Sequence, residues 1–110
     1  MSKDIDHVRR QIRNAMARPG MYVPSGTYEE LTAFIAGMDW AVEGRALAGF
    51  QVWLLKRLRS KGTNIGWCGI ISYAYDDLSP EKKSALGQTK IEFLKSLLTE
   101  WLDSAESIAG

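Results

Sequence analysis

The stretch TYEELTAFIAGMDWAVE, residues 27–43, contains the clearest helix signal in the chain. The Thr27 hydroxyl can accept a hydrogen bond from the Glu30 amide while the Glu30 carboxylate reaches back to the Thr27 amide, a capping box worth about 1 kcal/mol. Apolar residues then recur at helical spacing and mark one buried face: Leu31, Phe34, Ile35, Met38, Ala41 and Val42. The stretch therefore predicts an amphipathic helix, and Gly44 is its expected end.

Further helix patterns lie on both sides of this stretch. Residues 4–17 form an amphipathic pattern with arginines on the polar side, followed by a loop over residues 19–26 that is apolar enough to pack on the core. Residues 50–58 predict a helix whose C-terminal cations complement the helix dipole. Ser79-Pro80-Glu81 predicts the start of another helix, broken at Gly87, and a long apolar series from Thr89 onward predicts the last one.

Residues 65–75, IGWCGIISYAY, carry no charge, and their secondary structure is ambiguous. Periodicity does not separate a buried helix from a strand in so apolar a run, and the glycines and β-branched residues leave a strand as the alternative. The length of the run, Asn64 as a cap and the helical neighbours favour a helix. The fold prediction is all-α, a compact single-domain bundle of about five helices over residues 1–110.

Composition limits the class of protein. Apolar residues make up 45% and charged residues 25%, which is typical of a globular chain. Cys68 is the only cysteine, so an intrachain disulfide is excluded and a reducing compartment is indicated. The N-terminus lacks a signal peptide pattern, and no apolar run approaches the roughly 18 to 20 residues of a membrane span. We expect a cytoplasmic protein that does not bind membranes.

Residues for ordinary catalysis are scarce. His7, the only histidine, lies on the polar side of the first helix and is expected to be a surface residue. Cys68 has apolar neighbours, which favours a core cysteine over a nucleophile. One histidine and one cysteine match no zinc spacing, and no phosphate-binding or dinucleotide motif occurs. We expect no enzymatic activity, no cofactor and no metal site.

Acidic residues surround Trp40, which falls off the apolar face of its helix. An off-stripe tryptophan among acids is typical of a protein-binding surface. Packing of Trp40 under the loop at residues 19–26 is the equally weighted alternative. The predicted partner-binding residues are Glu29, Glu30, Asp39, Trp40, Glu43, Asp76 and Asp77.

A basic segment near the middle of the chain supplies an alternative binding face for nucleic acid phosphates. Its residues are Lys56, Arg57, Arg59 and Lys61. Helix-end cations and a solvated loop explain the same residues, and a formal net charge of only +1 gives no global attraction to nucleic acid. Nucleic acid binding is therefore the less favoured prediction.

Residues 18–40, RPGMYVPSGTYEELTAFIAGMDW, resemble a set of small bacterial proteins that open with an arginine-rich helix and an RPGMY-type loop. The set continues with a capped helix, an aromatic-leucine helix, an asparagine-tryptophan element and a C-terminal helix. The matching pieces here are Leu31 with Phe34-Ile35 and Gly37-Met38, residues 50–58, Asn64 with Trp67, and residues 91–102. The chain departs from the pattern at Val23-Pro24 and Met38.

Several members of that set are immunity-like proteins that accompany polymorphic toxins, so the resemblance implies a cognate toxin partner. We therefore expect a protein-binding inhibitor, most specifically an immunity protein that neutralises a toxin domain. The alternative is a small nucleic-acid-associated regulator that uses residues 56–61. The sequence leaves the identity of the partner, the binding face and the oligomeric state open.

Overall fold

A computed structural model describes residues 3–59, 65–85 and 89–109 of the chain. All regular structure within these ranges is helical, which confirms the all-α prediction. Of the charge-free run at residues 65–75, residues 67–75 belong to a helix rather than a strand. The elements are α1 (Lys3–Ala17), a 3-10 turn (Pro19–Met21), α2 (Tyr28–Ala41), α3 (Phe50–Arg57), α4 (Trp67–Asp76), α5 (Pro80–Ala85) and α6 (Lys90–Ala109).

The chain divides into two units, Met1–Ala48 and Gly49–Gly110. The first unit contains α1, the 3-10 turn and α2, and the second contains the remaining helices. The expectation of one domain over residues 1–110 stays a prediction.

The core of the first unit lies where α1 packs against α2. Both helices contribute fully buried side chains: Ile12 and Ala15 from α1, and Leu31 and Ile35 from α2. The segment after α2 adds three more buried residues, Val42, Ala46 and Leu47. The loop between the helices also packs on this unit, since Val23 is 5% exposed and the Tyr22 ring lies 5.9 Å from the Phe34 ring. The predicted packing of the loop holds for Val23, whereas Met21 is 72% and Tyr22 37% exposed.

Phe50, the first residue of α3, is the centre of an aromatic cluster in the second unit. Its ring is fully buried and lies 6.0 Å from Trp53, 5.7 Å from Trp67 and 5.3 Å from Trp101, measured between ring centroids. Aromatic pairs at these separations add to the stabilisation from burial. The cluster ties α3, α4 and α6 together.

Local signals explain most helix starts. Thr27 and Ser79 are caps as predicted, since their hydroxyls accept hydrogen bonds from the amides of Glu30 (3.2 Å) and Lys82 (3.3 Å). The fourth helix differs from the prediction, because it begins at Trp67 and Gly66 occupies the cap position expected for Asn64. Asn64 itself and the predicted break at Gly87 lie outside the described residues.

Candidate functional site

Glu30 has a structural role at the N-terminal end of α2. Its carboxylate accepts hydrogen bonds from the hydroxyl of Ser25 and from the Ser25 amide, the latter at 2.7 Å. The capping box expected with Thr27 is therefore wrong in one half, because the loop places Ser25 within reach of the carboxylate. The Ser25 hydroxyl and then the Ser25 amide hold the pKa of Glu30 below its ordinary value of 4.5. Glu29, its neighbour, is exposed.

Asp39 organises the opposite end of the same helix. Its Oδ1 accepts a hydrogen bond from the Leu47 amide at 2.9 Å. Its carbonyl oxygen accepts hydrogen bonds from the amides of Val42 at 3.1 Å and Gly44 at 2.9 Å. Glu43 and Gly44 adopt left-handed backbone conformations, with φ of +59° and +75°, which turn the chain sharply after α2. The side chain and the main chain of Asp39 thus both stabilise the turn.

Two arginines support the backbone that follows. The Arg9 Nε on α1 donates to the Ala46 carbonyl at 2.9 Å, and the Arg45 Nε donates to the Val42 carbonyl at 3.0 Å. Arg9 is one of the arginines on the polar side of α1, and the structure shows it partly buried there. We call residues 42–47 the support loop, since its hydrogen bonds hold the end of α2 in place.

Trp40 is 80% exposed and does not pack under the loop at residues 19–26. It lines a surface depression of about 260 Å³ together with Asp39, Glu43 and Gly44. We call this depression the α2 pocket. A depression lined by an exposed tryptophan and two acidic residues can bind a cationic or amphipathic group of another molecule.

The structure separates the predicted acidic residues into groups. Asp39, Trp40 and Glu43 lie together, whereas Glu29 and Glu30 lie about 15 Å away along the axis of α2, at a rise of roughly 1.5 Å per residue. The remaining two acids belong to the second unit. There Asp76 pairs with Lys90 at 3.3 Å, and the Lys90 ammonium also donates to the Ser72 hydroxyl at 2.8 Å. Asp77 is exposed just after α4.

The alternative basic face is partly engaged within its own unit. The Arg57 guanidinium forms an ion pair with Glu100, with N–O distances of 2.9 and 3.5 Å. Lys56 and Arg59 are exposed, and Lys61 lies outside the described residues. Pairing with Glu100 reduces the charge that Arg57 presents to a phosphate, which weakens this face as a nucleic acid site.

The two residues considered for catalysis lie apart from the α2 pocket in sequence. His7 is exposed on α1, and Cys68 is half-buried in the first turn of α4. Over the residues that the structure describes, no group of three or more His, Cys, Asp or Glu side chains is placed to hold a metal ion. Within the same part of the chain, no helix is long and apolar enough to cross a membrane.

Sequence reasoning missed Gly44 and Arg9 as parts of this site. Gly44 is the expected helix end, and its second role in lining the α2 pocket follows from the left-handed turn. The partner of Arg9 lies 37 positions away in the sequence, so no local pattern reveals it. Comparisons of the chain with protein-family models, curated proteins and solved structures found no match.

Proposed function

We propose that this chain is a protein-binding inhibitor, most specifically a cytoplasmic bacterial immunity protein that neutralises a cognate toxin domain. The observation that carries the proposal is Trp40, which is 80% exposed at the α2 pocket. Tryptophan is enriched among the residues that dominate binding energy at protein interfaces. An indole exposed to water at the C-terminal end of α2 gains free energy when a partner covers it.

Rigidity of the surroundings also supports a binding role. Hydrogen bonds from Leu47 to Asp39 and from Arg9 to Ala46 fix the support loop before any partner arrives. Binding to a preorganised surface avoids part of the entropy cost of ordering a loop. We therefore expect the backbone beside Trp40 to have the same conformation before and after a partner binds.

The charges of the α2 pocket favour a basic partner. Asp39 and Glu43 flank Trp40, and carboxylates around an aromatic residue steer a positively charged protein toward it. Toxin domains that cleave nucleic acids are commonly basic, because their substrates are polyanions. An inhibitor of such a domain works by occupying a surface, so it needs no catalytic residues of its own.

The resemblance of residues 18–40 to immunity-like proteins gives the proposal its specific form. That set opens with an arginine-rich helix, an RPGMY-type loop and a capped helix, and α1, the 3-10 turn and α2 follow the same order. The lone cysteine is consistent with the cytoplasm, where an immunity protein protects the cell that makes the toxin.

The test begins with the neighbouring reading frames, among which the proposal requires a secreted protein with a variable C-terminal toxin domain. That domain is expressed with and without this chain, growth is followed, and the dissociation constant of the purified pair is measured by calorimetry. Growth should be restored, and Trp40→Ala should weaken binding about tenfold or more. Tyr73→Ala, at an aromatic residue that is 67% exposed on α4, is the matched control. The proposal would be refuted if the chain neither restored growth nor bound the toxin domain.

A gel-shift assay tests the alternative, in which the chain is a nucleic-acid-associated regulator. Phosphate binding falls steeply with salt, so RNA and DNA probes are compared at low and high salt concentration. We expect no salt-sensitive shift at micromolar protein. A shift that disappears on replacing Lys56 and Arg59 with alanine would favour the regulator instead.

A further inference from the structure

We propose that the α2 pocket binds an arginine side chain of the partner protein. This inference rests on the proposed function for the existence of a partner, but it names the chemical group that the pocket recognises. Four features of the pocket lead to it: the orientation of one carboxylate, the polarity of the helix end, the exposed indole and the size of the depression.

The Asp39 carboxylate is oriented for a ligand on the side of Gly44. Its Oδ1 accepts a hydrogen bond from the Leu47 amide at 2.9 Å, which restricts the rotation of the group. Its Oδ2 lies 4.0 Å from the position that a Cβ atom on Gly44 would occupy. Because glycine carries no side chain, the space beside Oδ2 stays open and forms part of the pocket. The second oxygen is thus preorganised to accept a hydrogen bond.

The end of α2 concentrates negative charge, which favours a cationic ligand. The C-terminal end of a helix carries a partial negative charge, and basic residues are favoured there. The last turn of α2 contains no basic residue, and Asp39 and Glu43 add two carboxylates at this end. Two cations lie near this end, and each donates to a main-chain oxygen: the Arg9 Nε to Ala46 at 2.9 Å and the Arg45 Nε to Val42 at 3.0 Å. Within the described part of the chain, neither Asp39 nor Glu43 forms an ion pair.

Trp40 favours arginine over other cations. A guanidinium is planar, stacks on an indole face and donates parallel hydrogen bonds to a carboxylate, whereas a lysine ammonium is a strongly hydrated point charge. Asp39 Oδ2 and the Glu43 carboxylate supply acceptors beside the indole. An apolar side chain would instead cover these carboxylates without compensating them, which is unfavourable.

The size of the α2 pocket fits one side chain. Its volume of about 260 Å³ falls below the roughly 300–1,000 Å³ of pockets for drug-sized ligands. A depression of this size receives the end of an arginine that projects from a larger protein surface. The proposed function, which requires a protein partner, assigns this arginine to that partner.

The test uses the full chain and a probe that isolates the guanidinium. Amide and indole N–H signals are followed by NMR while N-acetyl-arginine amide is added, and N-acetyl-citrulline amide serves as the neutral probe of nearly identical shape. Arginine amide should shift the Trp40 indole signal and the Gly44 amide signal, and citrulline amide should leave both in place. Added salt should weaken the arginine effect, because the pocket is open to solvent.

Variants assign the effect to the pocket. Trp40→Ala should weaken binding of arginine amide about two- to fivefold, the range expected for an exposed cation–π contact. Asp39→Asn keeps an oxygen for the Leu47 amide but removes the charge, and it should weaken binding as well. Glu81→Gln removes an exposed carboxylate from α5, outside every predicted binding face, and should change nothing. Circular dichroism of each variant verifies the fold.

The outcomes separate this inference from the proposed function. Equal shifts with arginine and citrulline amides, or no shift with either, would overturn the arginine site even where growth is protected from the toxin. Selective binding of arginine amide without protection from the toxin would support the site and overturn the immunity role. If arginine amide binds selectively but neither Asp39→Asn nor Trp40→Ala weakens that binding, the arginine site lies elsewhere. This result would overturn the assignment to the α2 pocket.

Discussion

Replacing Asp39 with alanine tests how the end of α2 is held. The change deletes the acceptor for the Leu47 amide, and a hydrogen bond to a charged group contributes about 1.5–3 kcal/mol. Two smaller effects oppose this loss. Alanine has a higher helix propensity than aspartate by about 0.5 kcal/mol. Removing an anion from a helix C-terminus adds about 0.3–1 kcal/mol of stability. We expect Asp39→Ala to lower the free energy of unfolding by about 1 kcal/mol, which is the balance of these three effects.

Asp39→Asn separates the hydrogen bond from the charge. Its side-chain oxygen can still accept from the Leu47 amide, and the unfavourable anion at the helix end is gone. Its free energy of unfolding should therefore lie within about 0.5 kcal/mol of that of the unmodified chain. The assay is equilibrium unfolding in urea followed by circular dichroism, together with hydrogen exchange of the Leu47 amide.

Hydrogen exchange gives the local measurement that the global unfolding curve lacks. The Leu47 amide should exchange faster in Asp39→Ala and at close to the original rate in Asp39→Asn. An alanine variant that is as stable as the unmodified chain and protects Leu47 equally well would contradict the role given to Asp39. The same result would also remove the preorganised Oδ2 on which the arginine site depends.

Three further outcomes follow from contacts in both units. Phe50→Ala should lower the free energy of unfolding by about 3–5 kcal/mol, since the ring is fully buried among tryptophans; a loss below about 1 kcal/mol in a urea titration would contradict this. NMR titration should give Glu30 a pKa below 4.5, and Ser25→Ala should raise it; stabilisation by Glu30 is present above pH 4.5 and disappears as the pH falls through the lowered pKa. A double-mutant cycle on Arg57 and Glu100 should give less than about 1 kcal/mol, because their side chains are 50% and 46% exposed; a much larger coupling would show that the pair is shielded from water.

The fold was predictable where its determinants are local. A helix start depends on a side chain and an amide within one turn, so Thr27 and Ser79 could be assigned as caps from the sequence. The start of α4 was harder to predict, because Gly66 has no side chain that could mark it as a cap. The charge-free run also lacks the alternation of apolar and polar residues that reveals a helix. Glu30 shows that even a local prediction can fail by two residues. Its carboxylate accepts from the Ser25 amide instead of the expected Thr27 amide.

The site was less predictable because its supports are distant in the sequence. Trp40 could be identified as lying off the apolar face, but the sequence left open whether the loop at residues 19–26 covers it, and the structure shows it 80% exposed. From the sequence alone, Asp39 looks like a surface acid and Arg9 like a solvated cation. Their partners, the Leu47 amide and the Ala46 carbonyl, are brought close only by the fold. The sequence therefore indicated residues of the α2 pocket without the hydrogen bonds that shape it.

The four tryptophans differ in their surroundings, and this difference gives the protein an intrinsic optical signal. Trp40 is 80% exposed and Trp101 is 6% exposed. An indole in water emits at longer wavelength than a buried one and is reached by dissolved quenchers such as acrylamide. The largest contribution to the long-wavelength, quenchable emission therefore comes from Trp40, with smaller contributions from the half-buried Trp53 and Trp67. A ligand that covers the α2 pocket should shift this emission to the blue and shield it from the quencher, so association can be followed without attaching a dye.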